Sequence, residues 1–378
     1  MIHQFNFPTV VRFGEGAVQE LGSYLKNRGS QHPLLITDGV VAKLAFFEKI
    51  INDLKQQGLS PELFCDISKN PVKSDVTKGN AAYHQHESDA IVGLGGGAAM
   101  DVARAIVLSI NNTQDLLEYD ELIGGDQHIT EPMPLFVTVP TTAGTGSEVG
   151  RSAIISDDVT RKKHILFHPS LMAQIVFADP ELTYDLPPAV TAATGMDALT
   201  HNLEAYLAKN YHPMADGIAL EGIRMIFRSL EKAVNQPDAE SRREMLLASL
   251  MGAVAFQKGL GVVHSMAHPL SALLDMHHGL ANAICLPYGL QFNIAGFEDR
   301  FSAIAQAMNL ADHSGEAVIE ALVGLNEKIG LPIHLSTEGV TNEHLDELAT
   351  LASEDFAHPN NPKPVTREDF VKLYTAAL

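Results

Sequence analysis

The first half of the chain alternates short apolar runs with longer segments in which apolar residues recur every three or four positions. The short runs are typical of buried strands, and the longer segments are typical of helices. We therefore predict strands at residues 7–13, 33–37, 62–67, 90–94, 135–139 and 174–178. Helices are predicted between these strands at residues 16–28, 41–57, 75–87 and 98–110. This alternation predicts an α/β domain built on a parallel, Rossmann-like sheet.

The pattern changes at residues 185–188, which read Asp-Leu-Pro-Pro. Beyond them helical periodicity dominates, and we find no convincing strand alternation. Helices are predicted at residues 189–208, 213–234, 239–256, 260–274, 297–309, 313–329, 342–353 and 366–377. Because 378 residues exceed a typical single core, two domains are expected. We predict an NAD-binding α/β domain over residues 1–186 and an all-α helical domain over residues 187–378.

Composition and charge narrow the functional class. The net charge of −20 argues against nucleic-acid partners and anionic membrane surfaces, because both attract basic proteins. The two cysteines provide no disulfide framework, which fits a reducing compartment. The N-terminal residues lack the pattern of a signal peptide, and no apolar run reaches transmembrane length. We expect a cytoplasmic protein without nucleic-acid or membrane partners.

Polar or glycine-rich stretches follow several predicted strands, where ligands bind in parallel sheets. Gly95, Gly96 and Gly97 lead into a helix, so they form either a tight turn or a cradle for a phosphate at a helix N-terminus. The loop at residues 140–148 offers threonine and serine hydroxyls among glycines. Asp38 ends an early strand, where a carboxylate accepts from ribose hydroxyls and repels a 2′-phosphate. Asp38 is therefore either the first residue of an Asp-Gly turn or a cofactor residue that favours NAD over NADP.

An otherwise apolar stretch at residues 257–288 contains four of the 17 histidines, namely His264, His268, His277 and His278. Buried imidazoles need partners, so these are either satisfied core histidines or the ligands and acid–base groups of a site.

Asp197 and His201 are four residues apart on a predicted helix, and so they share one face. They form either a helix-surface pair or half of a metal site. One aspartate and three histidines would form a set suited to iron(II) or zinc, with a position left open for catalysis.

Taken together, these motifs resemble those of the iron-containing alcohol dehydrogenase family. The resemblance rests on Gly95-Gly96-Gly97 with Asp101, on residues 140–148, on residues 195–201 with Glu204, and on residues 264–269 and 278–282. It implies a dehydroquinate synthase-like architecture with a cleft between the domains, and frequent homodimers. Ala98 and Arg104 depart from the family pattern, in which serine and lysine are usual.

The resemblance also implies the roles of individual residues. The metal ligands are expected to be Asp197, His201, His264 and His278, and the metal is expected to be Fe²⁺, with Zn²⁺ as an alternative. His268 is the candidate catalytic residue near the nicotinamide, and Phe256 and His277 are expected to border the substrate pocket. The predicted cofactor-binding residues are Asp38, Asn70, Gly95, Gly96, Gly97, Ala98, Asp101, Thr141, Thr142, Thr145, Ser147 and Lys163.

These features predict a metal-dependent NAD(H) oxidoreductase that interconverts a small primary alcohol and its aldehyde. The metal would polarise the alcohol or carbonyl oxygen, and hydride would pass to or from the nicotinamide. One alternative is an NAD- and metal-dependent lyase of the dehydroquinate synthase type. It is disfavoured because Lys258 is the only Lys or Arg between residues 247 and 290, too few for a polyanionic substrate. A metal-free reductase of the maleylacetate type and a non-catalytic NAD sensor are further alternatives.

Overall fold

The structure is a computed structural model that describes residue 3 and residues 5–378. Its contacts divide the chain into two units. The sheet unit comprises residues 8–142 and 146–183. The helical unit comprises the described residues up to Phe7, the short segment Ala143–Thr145, and Tyr184–Leu378. Both units are therefore discontinuous in sequence.

Six parallel strands and a separate hairpin form the sheet unit. The strands are β1 (Val10–Phe13), β2 (Pro33–Ile36), β3 (Glu62–Phe64), β4 (Ala90–Gly95), β5 (Leu135–Pro140), β6 (Ser152–Ser156), β7 (Lys163–Phe167) and β8 (Ile175–Ala178). The main sheet has the order β1-β8-β5-β4-β2-β3, and every pairing in it is parallel. All six of its strands were predicted, whereas the antiparallel hairpin of β6 and β7 was not.

Helices cover both faces of this sheet, as its continuous apolar strands require. They are α1 (Leu21–Asn27), α2 (Ala45–Gln56), α3 (Lys73–Gln85) and α4 (Gly97–Asn111). Successive strand residues point to opposite faces. Leu34 and Ile91 accordingly join one buried apolar cluster, whereas Leu35 and Val92 join another.

The helical unit contains nine helices among its described residues, and no strand. They are α5 (Pro188–Leu207), α6 (Pro213–Asn235), α7 (Ala239–Ala255), α8 (Val262–Leu274), α9 (His278–Asn293), α10 (Glu298–Ala307), α11 (Gly315–Lys328), α12 (Leu345–Ser353) and α13 (Arg367–Ala377). Helix α9 was missed by the sequence prediction, and the other eight agree closely with it. The predicted fold class, a Rossmann-like α/β part followed by an all-α part, is confirmed.

Over the described range, no single helix combines the length and apolar composition needed to cross a membrane. The segments Ala239–Lys258 and Val262–Leu274 reach that composition only when they are taken together, across a bend of 108°.

Candidate active site

The carboxyl ends of β2, β4 and β5 bring together several predicted cofactor residues. Asp38 follows β2, Gly95 ends β4, and Thr141 follows β5. The backbone N–H of Thr141 donates to the carbonyl of Gly95 at 3.1 Å. Strand β2 lies between β3 and β4, so the chain reverses its direction of travel across the sheet between β2 and β4. Ligands of open α/β sheets bind at such a switch point.

The glycine turn after β4 has no room for side chains at Gly95 and Gly96. Gly95 has a φ of 151°, and a Cβ placed there would lie 2.7 Å from the Cβ of Ala99. A Cβ at Gly96 would lie 3.1 Å from the hydroxyl of Thr142. Helix α4 then begins at Gly97, and within the described chain no side chain caps its N-terminus. This arrangement suits a pyrophosphate, which accepts from free N–H groups at a helix N-terminus.

Two hydroxyls at the same strand ends are buried without a partner. Thr37 Oγ1 and Thr141 Oγ1 find no hydrogen-bond acceptor or donor among the described residues. An unsatisfied buried hydroxyl is unfavourable, so a ligand that reaches these atoms would be stabilised. The residues present therefore fit a dinucleotide.

Other predicted cofactor residues make contacts within the protein. Asp101 on α4 accepts from Ser147 Oγ at 3.2 Å and from the backbone N–H of Ile154 at 3.3 Å. Burial raises the pKa of Asp101 to about 6, against the opposing effect of Arg104. Asp101 and Ser147 thus attach the loop and hairpin after β5 to helix α4.

The remaining predicted cofactor residues occupy varied positions. Ala98 lies in the first turn of α4, Asn70 lies in the bend before α3, and Lys163 begins β7. Thr145 belongs to the helical unit, where its hydroxyl lies 3.5 Å from Asp197 Oδ2.

Three helices supply the predicted metal ligands. The structure brings ligand atoms of Asp197, His201 and His264 within 4.8 Å of one another, and His278 adjoins this group through Asp197. Asp197 and His201 share one face of α5, His264 lies in the first turn of α8, and His278 begins α9. Asp197 Oδ1 lies 3.9 Å from His201 Nδ1, 4.0 Å from His264 Nε2 and 3.4 Å from His278 Nε2. Ligands about 2.1 Å from one tetrahedral ion are roughly 3.4 Å apart, so these spacings approach those of a metal site.

The chemical state of this cluster also fits a metal. Burial would raise the pKa of Asp197, but the charges of protonated His201, His278 and His264 lower it to about 2. Burial lowers the pKa of His201 to about 4 and the pKa of His278 well below its ordinary value. His201 Nδ1 is buried and lacks a hydrogen-bond partner in the described part of the chain. Burial would lower the pKa of His264, but its hydrogen bond to Glu204 and the charge of that carboxylate raise it above its ordinary value. At neutral pH the cluster offers an ionised carboxylate on Asp197 and neutral imidazoles on His201 and His278, the forms that bind metals.

His268, the candidate catalytic residue, lies beside this cluster. Its ring stacks on His278 and on Phe356, with 5.4 Å between ring centroids in each pair. Phe256 packs against His201 at 5.2 Å, whereas His277 is an exposed residue at the start of α9. The sequence analysis did not identify Phe356, whose ring is 46% exposed.

Three further polar residues of the site were not assigned roles from sequence. Asp355 accepts from His268 Nδ1 at 2.7 Å and from Ser265, and it fixes the orientation of the His268 ring. Burial would raise the pKa of Asp355, but His268 and these hydrogen bonds lower it to about 2. Asn282 donates to Asp197 Oδ1 at 2.8 Å, and Glu204 accepts from His264 Nδ1 at 2.6 Å. A carboxylate near a ligand histidine is the signal that could have identified Glu204.

Comparison with known proteins covers nearly the whole chain. A family model described as iron-containing alcohol dehydrogenase matches residues 8–180. A model described as the C-terminal part of the Fe-containing alcohol dehydrogenase family matches residues 191–378.

Individual relatives match over their full length. The 4-hydroxybutyrate dehydrogenase of Cupriavidus necator is 37% identical, with 98% of each chain covered. A crystal structure of a 1,3-propanediol oxidoreductase has a TM-score of 0.94 and 33% identity, with 100% of both chains covered. The sulfoacetaldehyde reductase of Bifidobacterium kashiwanohense, solved with NAD⁺, has a TM-score of 0.90 and 26% identity, with 100% of this chain and 99% of that chain covered.

Proposed function

Because this chain belongs to the iron-containing alcohol dehydrogenase family, we propose that it interconverts a small primary alcohol and its aldehyde with NAD(H), at a divalent metal held by Asp197, His201, His264 and His278. The membership confirms the resemblance inferred from the sequence. An NAD-dependent alcohol–aldehyde oxidoreductase is also favoured over the lyase and metal-free alternatives.

One observation carries the assignment of the metal site. A single carboxylate oxygen of Asp197 lies within 4.0 Å of nitrogen atoms from three histidines, on helices that are separate in sequence. A core in which each histidine satisfied its own hydrogen bonds would not require this convergence. The unpaired Nδ1 of His201, judged over the described residues, supports the same assignment.

The metal, when bound, supplies Lewis acidity toward the alcohol or carbonyl oxygen. The protein residues hold the metal, exchange the proton and contact the substrate. Asp197 and the three histidines would hold the ion. His268, oriented by Asp355, is placed to exchange a proton with the substrate oxygen or nearby water. Phe256 and Phe356 offer apolar surface beside His201 and His268, and this surface suits a short carbon chain.

The cofactor is proposed to bind at the carboxyl ends of the sheet strands, with its pyrophosphate at the N-terminus of α4. Asp38 Oδ1 accepts from the backbone N–H groups of Val40 and Val41, which fixes the carboxylate beside the switch point. A fixed negative charge there disfavours the 2′-phosphate of NADP, so we propose a preference for NAD.

Iron is the metal that we propose, because the family takes its name from it and the ligand set accepts Fe²⁺. Zinc would bind the same oxygen and nitrogen atoms. We propose a small uncharged substrate. Lys258 is the only Lys or Arg between residues 247 and 290, and it is buried and pairs with Asp216, so it is not available to bind a substrate anion. We further propose that the protein is cytoplasmic and forms a homodimer. Light scattering of the purified protein would test the homodimer.

The proposal is tested by elemental analysis of anaerobically purified protein, followed by NADH oxidation with a panel of small aldehydes before and after chelation. About one iron or zinc per chain is expected, with aldehyde-dependent activity lost on chelation and restored by metal. Activity that persists in fully metal-free protein would contradict the metal assignment. Bound metal without turnover of any aldehyde would contradict the assigned reaction.

A further inference from the structure

Glu204 is a buried carboxylate that connects two of the helices of the metal cluster. It lies on the same face of α5 as Asp197 and His201, and only 2% of it is exposed. Its Oε1 accepts from the backbone N–H of Val263 at 2.7 Å. Its Oε2 accepts from His264 Nδ1 at 2.6 Å and from the backbone N–H of His264 at 3.3 Å. All three donors belong to the first turn of α8.

These contacts determine which nitrogen of His264 faces the cluster. With its Nδ1–H donating to Glu204, the ring is held in the tautomer whose Nε2 carries the lone pair. That Nε2 is the atom that lies 4.0 Å from Asp197 Oδ1. A carboxylate behind a ligand histidine fixes the ring orientation and strengthens the nitrogen as a donor.

The charge of Glu204 matters as well. Asp197 and Glu204 are both nearly fully buried, and together they place two carboxylates close to the histidines of the cluster. A buried charge is unfavourable unless an opposite charge compensates it. Two carboxylates balance the charge of one divalent cation.

The chain also makes room for Glu204. Gly261 precedes α8, and a Cβ placed there would lie 2.9 Å from Glu204 Oε1. The N-cap residue of α8, Gly261, provides no side-chain cap, so other segments satisfy the first N–H groups of this helix. Asn361 Oδ1 accepts from the N–H of Val262, and Glu204 accepts from the next two N–H groups. The close approach of α5 to the start of α8 therefore depends on this glycine.

We infer that Glu204 is a positioning residue of the metal centre, whose carboxylate orients His264 toward the ion and, together with Asp197, neutralises a bound divalent cation. This inference rests on the proposed ligand set. A purely structural helix cap would stabilise the fold but would leave the affinity and spectrum of a bound metal unchanged.

The test is titration of metal-free protein with Co²⁺, followed by calorimetry and by the visible absorption of the bound ion. Glu204→Gln removes the charge and places an amide N–H against one of the α8 donors. We expect its Co²⁺ affinity to fall by about 10- to 100-fold, with a changed absorption spectrum. Glu204→Asp keeps the charge and is expected to recover part of this loss.

Glu244→Gln is the matched control, since Glu244 is a partly buried carboxylate of the same unit that pairs with Arg228 and Ser229. It should bind Co²⁺ as the wild type does. Wild-type affinity and spectrum in folded Glu204→Gln would overturn the inference. If that variant does not fold, wild-type affinity in Glu204→Asp would overturn it instead, because the shorter side chain cannot reach Val263 and His264 together. If the wild-type protein binds no Co²⁺, the ligand assignment itself fails.

Discussion

Arg104 shows how a single buried cation shapes the cofactor side of the protein. It is fully buried on α4, and it donates to the carbonyls of Leu171 and Ser152 and to the hydroxyl of Ser147. A guanidinium has five fixed donors, so it can hold three loop segments at once where a lysine could not. This residue departs from the usual family lysine, and its contacts show that it acts as a structural anchor for the loop after β5.

Glu148 lies beside this anchor and makes the stability of the sheet unit dependent on pH. It is buried, its Oε1 has no hydrogen-bond partner among the described residues, and burial raises its pKa from the ordinary 4.5 to about 7. The unfolded chain loses this proton first as the pH rises, so the stabilisation is present at acidic pH and is lost between pH 4.5 and 7. This pKa shift corresponds to a change of about 3 kcal/mol in the free energy of unfolding.

We therefore expect Glu148→Gln to flatten part of the pH dependence of unfolding. As the pH rises from 4.5 to 7, the free energy of unfolding of the wild-type protein should fall by up to about 3 kcal/mol relative to that of the variant. Thermal unfolding followed by circular dichroism at several pH values measures this difference. Glu131→Gln, which changes an exposed carboxylate of the same unit, should leave the wild-type profile unaltered. Parallel profiles for wild type and Glu148→Gln would contradict the prediction.

At the level of elements, α9 shows where sequence patterns stop being informative. Its residues Ala281–Pro287 are all buried, so this part of the helix presents no solvated face, and Pro287 lies inside it. Helical periodicity arises from one apolar and one solvated face, and a helix buried on all sides has no such contrast. The β6–β7 hairpin was missed because its strands, SAIIS and KHILF, mix polar and apolar residues and do not stand out as continuous apolar runs.

Most other elements were predicted well because their sequence patterns are distinct. The six sheet strands stand out because they are short apolar runs bounded by turns, and most helices have a solvated face. The ligands Asp197 and His201 were recognisable through their spacing on one helix. Asp355 was not, because it reaches His268 across 87 residues of chain and local spacing carries no information about such a contact.

The packing of α9 against α5 leads to a prediction about Gly279. A Cβ at this position would lie 2.2 Å from the backbone oxygen of Ala193, so Gly279→Ala must push α9 away from α5. His278 would then move from Asp197. We expect a loss of about 1–3 kcal/mol in stability and a reduced Co²⁺ affinity.

Gly324→Ala on α11 is the control for this substitution. Its added methyl group meets nothing within 4 Å in the described structure, so it should leave Co²⁺ binding unchanged and should slightly stabilise the helix. Calorimetric titration of both variants distinguishes the two effects. Unchanged metal affinity in Gly279→Ala would show that α9 can be displaced without moving the ligand.

At the scale of the whole molecule, the residues proposed to bind the metal and most of those proposed to bind NAD belong to different units. The metal ligands all belong to the helical unit, whereas most of the predicted cofactor residues belong to the sheet unit. Binding stabilises the segments that it orders, and it slows their local opening. Each ligand should therefore protect a different part of the chain.

Hydrogen exchange measured by mass spectrometry tests this expectation. Chelation of the metal should speed exchange in α5, α8 and the start of α9, and should leave the strands of the main sheet little changed. Added NAD⁺ should slow exchange at the turn after β4 and in the first turn of α4. Faster exchange in β2 and β4 after chelation alone would contradict the division of roles.

The three residues Ala143–Thr145 restrict how this protein can be divided or recombined. They come from the middle of the sheet unit's sequence, yet they belong to the helical unit, where Gly144 approaches Thr194 and Thr145 reaches Asp197. A fragment that begins at Tyr184 lacks these contacts, and a fragment that ends at Thr183 carries them without their partners. A chimaera of two relatives joined near residue 184 would therefore take residues 143–145 from one parent and their contacts in the helical unit from the other. We expect a functional chimaera to take residues 143–145 and the helices that contact them from the same parent.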